Sequence, residues 1–91
     1  MGDDGLPVLP GFREIAQRRR AVIGELAGAR RAAGLSQTEV AARMGTSQSV
    51  VARLESGAID ARLSTLQRYA LAVGRELELG IRGREGTEED R

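Results

Sequence analysis

The chain of 91 residues contains no cysteine and no histidine. The first absence excludes disulfides and thiolate metal sites. The second removes the commonest general base and the commonest metal ligand. Lysine is also missing, so all fourteen basic residues are arginine. No apolar run approaches the ~20 residues that a membrane span requires, and no membrane partner is expected. The opening Met1-Gly2-Asp3-Asp4-Gly5 is acidic and lacks the apolar core of a signal peptide. A soluble cytoplasmic protein, most simply a prokaryotic one, is the expectation. The serines sit at helix caps and have no partner base, so an enzyme is the least expected class. Neither a cofactor nor a metal is expected.

What is present is a charge asymmetry beneath a net charge of +1. Residues 12–75 carry eleven arginines against five acids (Glu14, Glu25, Glu39, Glu55 and Asp60), a net of +6. Asp3 and Asp4 make the head acidic, and residues 76–91 hold three arginines against six acids. A basic centre favours phosphate through counterion release, although a solvated arginine-rich face would read the same way.

The chain divides into four stretches. Residues 1–11, with Pro7 and Pro10, read as a flexible lead whose Leu6, Val8 and Leu9, followed by Phe12, suit a partner surface. Residues 12–75 read as a bundle of helices. Ile15, Val22, Ile23, Leu26, Ala29 and Ala33 recur at helical spacing, but Gly24 and Gly28 lower propensity, so the early part is expected to fray or to form a separate turn. Gly34 ends this helix. Ser36-Gln37-Thr38-Glu39 is a capping box for the second. Gly45 supplies a positive φ, Ser47 caps a third helix that Gly57 stops, and Ser64 is expected to cap a fourth containing Leu66, Tyr69, Ala70 and Val73.

Residues 76–82 change period. Glu76-Leu77-Glu78-Leu79-Gly80-Ile81-Arg82 alternates as a strand does, placing Leu77, Leu79 and Ile81 on one side. A lone strand leaves backbone groups unpaired, so the simplest partner is the same strand of a second copy. The alternative is a short tail lying on its own domain. Residues 83–91 are charged and read as disordered.

Two short helices joined by a glycine turn form a helix-turn-helix unit. At Gln37, Glu39, Ala41, Gly45, Ser47, Gln48, Leu54, Glu55 and Gly57 the chain resembles the Cro/phage-repressor (XRE) family, from about Ile23 to Val73. The terminal strand resembles that of small antitoxins of the HipB and HigA kinds. The resemblance implies an all-α, four- to five-helix lambda-repressor-like bundle with one C-terminal β-strand for dimer pairing. It places Gln48, Ser49 and Arg53 at base-reading positions, with Ala52 on the same face. The chemistry agrees: glutamine bridges adenine N6 and N7, arginine forks onto guanine, and serine is permissive. A phosphate contact is the competing reading for Arg53. Gln37, Thr38, Arg43, Ser47 and Arg62 are backbone-contact candidates, with Ser47 open between capping and phosphate. Arg30 and Glu55 occupy the positions of a structural ion pair in the family.

The expected partners are double-stranded DNA, a second copy of the chain and, in one reading, a cognate toxin. The lead function is a dimeric, sequence-specific repressor that binds an inverted repeat through residues 47–55 and is nucleoid-associated when bound. One alternative is the antitoxin of a toxin–antitoxin pair, repressing its own operon. The other is a protein-interaction module without DNA contact.

Overall fold

The computed structural model describes residues 11–81 and residue 83. Among them are four helices: α1, Phe12–Ala32; α2, Gln37–Met44; α3, Gln48–Ser56; and α4, Leu63–Ala72. The lead apart from Gly11, the tail beyond Gly83, and Arg82 lie outside the described residues.

Local chemistry sets most boundaries. Ser36 Oγ accepts from the Glu39 amide at 3.0 Å while Glu39 Oε1 accepts from the Ser36 amide at 2.7 Å, closing the capping box that starts α2. The Glu39 carboxyl is held below its ordinary pKa, first by the Ser36 amide and then by the Ser36 hydroxyl. Gly45 ends α2 with φ +74°, a left-handed conformation that side chains disfavour. Ser47 then caps α3, its hydroxyl accepting from the Val50 amide at 3.3 Å.

Two expectations need correction. Ser64 is not a cap: α4 begins at Leu63 with Arg62 in the N-cap position, and no side chain caps it. Nor does α1 break at its glycines. It runs unbroken for 21 residues through Gly24 and Gly28. Tertiary packing of the helix's second half outweighs the propensity penalty there.

The core gathers one stripe from each helix. Ile23, Leu26 and Ala29 of α1 meet Val40, Ala41 and Met44 of α2, Val51 and Leu54 of α3, and Leu66, Tyr69 and Ala70 of α4. Val40, Val51, Leu54 and Tyr69 are fully enclosed. Each large aliphatic side chain buried in this way contributes about 1.5–3 kcal/mol. Ile15, although in phase with the α1 stripe, is 58% exposed. The first two turns of α1 extend past the core that the periodicity is expected to serve, and Val22 already packs against it.

The strand expected over residues 76–82 is not seen. Residues 76–81 carry no regular secondary structure. Leu77 packs half-buried against the core, while Leu79 and Ile81 are exposed. The described residues offer this segment no second strand to pair with.

Candidate nucleic-acid interface

The amino ends of α2 and α3 lie side by side. Gln48, the first residue of α3, donates from Nε2 to Oε1 of Gln37, the first residue of α2, at 2.7 Å. The first amides of a helix have no intrahelical acceptor. At α2 the Ser36 hydroxyl takes up the Glu39 amide, and at α3 the Ser47 hydroxyl takes up the Val50 amide. The amides of Gln37, Thr38, Gln48 and Ser49 are thus left to one region, where both helix dipoles are positive.

Gln37 passes the contact inward. Its Nε2 donates to Glu55 Oε1 at 3.0 Å. Arg30 grips the same carboxylate as a fork, Nε to Oε2 at 2.7 Å and Nη2 to Oε1 at 3.1 Å. Arg30 Nη1 also donates to the Leu35 carbonyl at 2.9 Å, which fixes the turn between α1 and α2. The Tyr69 hydroxyl from α4 completes the set by donating to Glu55 Oε2. One carboxylate therefore joins all four helices. Its side chain is 10% exposed and that of Arg30 12%, so this is a mostly buried pair.

The electrostatics follow from the geometry. Burial alone would raise the Glu55 pKa. Hydrogen bonds from Arg30, then Tyr69 and Gln37, outweigh it and hold the carboxyl below its ordinary value. The Tyr69 phenol is pushed well above its usual value, first by burial and then by the adjacent carboxylate. The hydrogen bond from Arg30 to Glu55 raises the arginine further.

The remaining candidate residues fall in several places. Gln48, Ser49 and Arg53 are exposed and Ala52 is half-buried. Ser49 Oγ lies 3.2 Å from Ser47 Oγ, so the two hydroxyls are shared at the α3 cap. Thr38 is exposed on the first turn of α2, and Arg62 is exposed at the start of α4. Arg43 departs from a simple phosphate role. Its Nη1 donates to the Ala72 carbonyl at 2.9 Å, a cationic donor on the last turn of α4.

Five partnerships lie outside the sequence reading, and two of them, Gln48 on Gln37 and Gln37 on Glu55, turn the Gln37 side chain from a phosphate toward the protein. Tyr69 was read as core alone, although a buried phenol usually finds a partner for its hydroxyl, and that signal was available. Arg43 on Ala72 bridges 29 positions and leaves no mark in the local pattern. Arg19 pairs with Asp60 at 3.3 Å, tying the middle of α1 to the α3–α4 loop. Among the described residues no side-chain cluster could hold a metal ion, and no helix is long and apolar enough to cross a membrane.

Two adjacent helix amino ends behind a glycine turn, polar outside and locked inside, define a helix-turn-helix protein. The helix-turn-helix family model matches residues 26–79, and the chain belongs to that family, of the XRE type. It is 42% identical over 73 residues to two proteins named Antitoxin HigA1, from the CDC 1551 / Oshkosh and ATCC 25618 / H37Rv strains of Mycobacterium tuberculosis. The alignments cover 80% of this chain and 49% of each relative, so the chain spans about half the length of the curated relatives it matches. No solved structure matches the chain.

Proposed function

We propose that the chain is a sequence-specific DNA-binding transcriptional repressor that lays the amino end of α3 in the major groove. The observation carrying this reading is the Gln48–Gln37–Glu55 chain of hydrogen bonds. It holds an exposed glutamine in a fixed pose on a buried support, and preorganised side chains lose little entropy on binding. Gln48 Nε2 has two protons. One is taken by Gln37, leaving the other, with Oε1, for the N7 and N6 of an adenine. Ser49, Ala52 and Arg53 complete the base-reading surface, Ala52 against a thymine methyl and Arg53 on guanine.

The phosphates on either side are met by the free amides of Gln37 and Thr38, by Ser47, by Arg62, and by Arg43 through its remaining donors. Two copies joined through Leu77, Leu79 and Ile81 present two α3 helices to half-sites about 34 Å apart in an inverted repeat. A second function is favoured by a separate observation, the 42% identity to proteins named Antitoxin HigA1. In that reading the same chain neutralises a toxin and represses the operon that encodes both.

Selection of bound duplexes from a random pool, followed by competition at two salt concentrations, tests the DNA reading. An inverted repeat should emerge, and its affinity should exceed that for random duplex at both salts. Failure to enrich any sequence, with no salt-sensitive binding, refutes it and leaves a protein-interaction module. For the antitoxin reading, the gene beside this one should encode a small protein whose toxicity co-expression of this chain relieves.

A further inference from the structure

Away from α2 and α3, helices α1 and α4 leave an apolar groove of about 860 Å³ bordered by the C-terminal segment. Ile15 and Val22 of α1, Leu63 and Leu66 of α4, and Leu77 and Leu79 of the tail form its apolar wall. The described residues expose six large hydrophobic side chains, and four of them (Ile15, Leu63, Leu79 and Ile81) line this one groove. Phe12 is a fifth and stands one turn before Ile15 on the same helix face. An apolar patch gathered in this way, with a charged rim, marks an interaction surface.

Three observations select the occupant. The rim carries both signs: Glu14 and Glu78 stand with Arg18 and Arg19, and Arg19 is already bound to Asp60. A two-fold interface sets a patch against itself, so mixed charge is self-complementary where a single sign would repel. A nucleic acid would call for a uniformly basic surface. Next, the backbone of residues 76–81 makes no hydrogen bond to the other described residues, although these residues alternate as a strand does. Finally, no residue of α2 or α3 lines the groove, so covering it leaves both DNA-facing helix ends open.

We propose that the groove is the socket for a second copy of this chain: the tail of each protomer lays Leu79 and Ile81 over Phe12 and Ile15 of the other. This rests on the dimeric reading above and deepens it. The amino half of α1, not strand pairing alone, then sets who pairs with whom.

Sedimentation of the full chain and of three variants tests it. The wild type should be a dimer, and Ile15→Leu should remain one. Ile15→Glu should raise the dimer dissociation constant at least thirtyfold with unchanged helix content, because that side chain is already 58% exposed in the protomer. Leu79→Pro should also give monomers. Because the chain has no cysteine, Ile15→Cys and Ile81→Cys proteins can be mixed and oxidised, and a disulfide joining one of each is expected. If Leu79→Pro is monomeric while Ile15→Glu dimerises like the wild type and no mixed disulfide forms, strand pairing stands and the socket falls. A monomeric wild type removes the dimeric reading and the socket together.

Discussion

The two halves of α1 share one helix and differ in almost everything else. From Ile23 onward the helix buries Ile23, Leu26, Ala27 and Ala29 and carries in its last turn Arg30, which grips Glu55. Before Ile23 it buries nothing fully, and Phe12 and Ile15 stand open to solvent. The apolar spacing is continuous across the divide, so the sequence pattern belongs to two different jobs. The second half closes the fold of the chain. The first half presents a surface, and its exposed apolar residues contribute to a fold only when something covers them.

That contrast breaks hardest at Glu55. Glu55→Ala removes a carboxylate that accepts from Arg30, Gln37 and Tyr69, leaving a mostly buried guanidinium and a buried phenol without their partner. The expected cost is about 3–5 kcal/mol, measured by urea unfolding. Against a total of roughly 5–15 kcal/mol for a domain, this removes much of the margin. Charge-neutral changes in the first half of α1, such as Ile15→Ala, should cost less than about 0.5 kcal/mol in the protomer. Ile23→Ala, two turns later on the same helix, should cost about 2–5 kcal/mol. Equal losses at the two isoleucines would erase the distinction between the halves.

Titration sharpens the same comparison. The Glu55 carboxyl is held below its ordinary value in the folded chain. Its stabilisation is therefore fully present above the unfolded-state value of about 4.3 and is lost as pH falls through the lower, folded value. Stability should decline in acid, and Glu55→Gln should flatten that decline while lowering stability at neutral pH. An unchanged slope in Glu55→Gln would show that the carboxylate does not carry the linkage.

The network has an outer end whose loss should register in binding and not in folding. Gln48→Ala removes an exposed side chain that, among the described residues, is bonded through its side chain to Gln37 alone. Unfolding should shift by less than about 0.5 kcal/mol. Affinity for the selected operator should fall by about 1–3 kcal/mol, with little change on random duplex. Equal losses on both duplexes would assign Gln48 to the backbone, not to a base.

These residues also show what the one-dimensional pattern can carry. Ser36, Gly45, Ser47 and Gly57 act on neighbours within four positions, so the turn and both short helices are legible in the sequence. The inward stripe of α4 was legible too, including Tyr69. What Tyr69 touches was not, because Glu55 lies fourteen positions away and only packing brings the two together. Ser64 misled because a serine before an apolar run satisfies the cap rule, yet the helix starts at Leu63, one residue earlier. The alternation over residues 76–82 predicts a strand, and residues 76–81 carry none. A strand is a property of two segments, and the described residues supply only one of them.

A stabilising change lies where the halves of α1 join. Gly24 follows the first buried residue of the helix, and a Cβ built there meets nothing within 4 Å. Its backbone is helical, so alanine adopts it without strain, and no close approach requires a glycine. Gly24→Ala should therefore stabilise the chain by about 0.5–1 kcal/mol through intrinsic propensity. For a domain of this size that is a rise in melting temperature of several degrees, about 4–8 °C per kcal/mol. Gly28→Ala, also with open space around its Cβ, should act alike. The two sites differ in what the gain reaches. At Gly28 both flanks are packed and only global unfolding should slow. At Gly24 one flank is the projecting half, so amide exchange over residues 12–22 should also slow. If Gly24→Ala raises the melting temperature and leaves exchange in that half untouched, the halves unfold independently, and order in the first must come from whatever covers it.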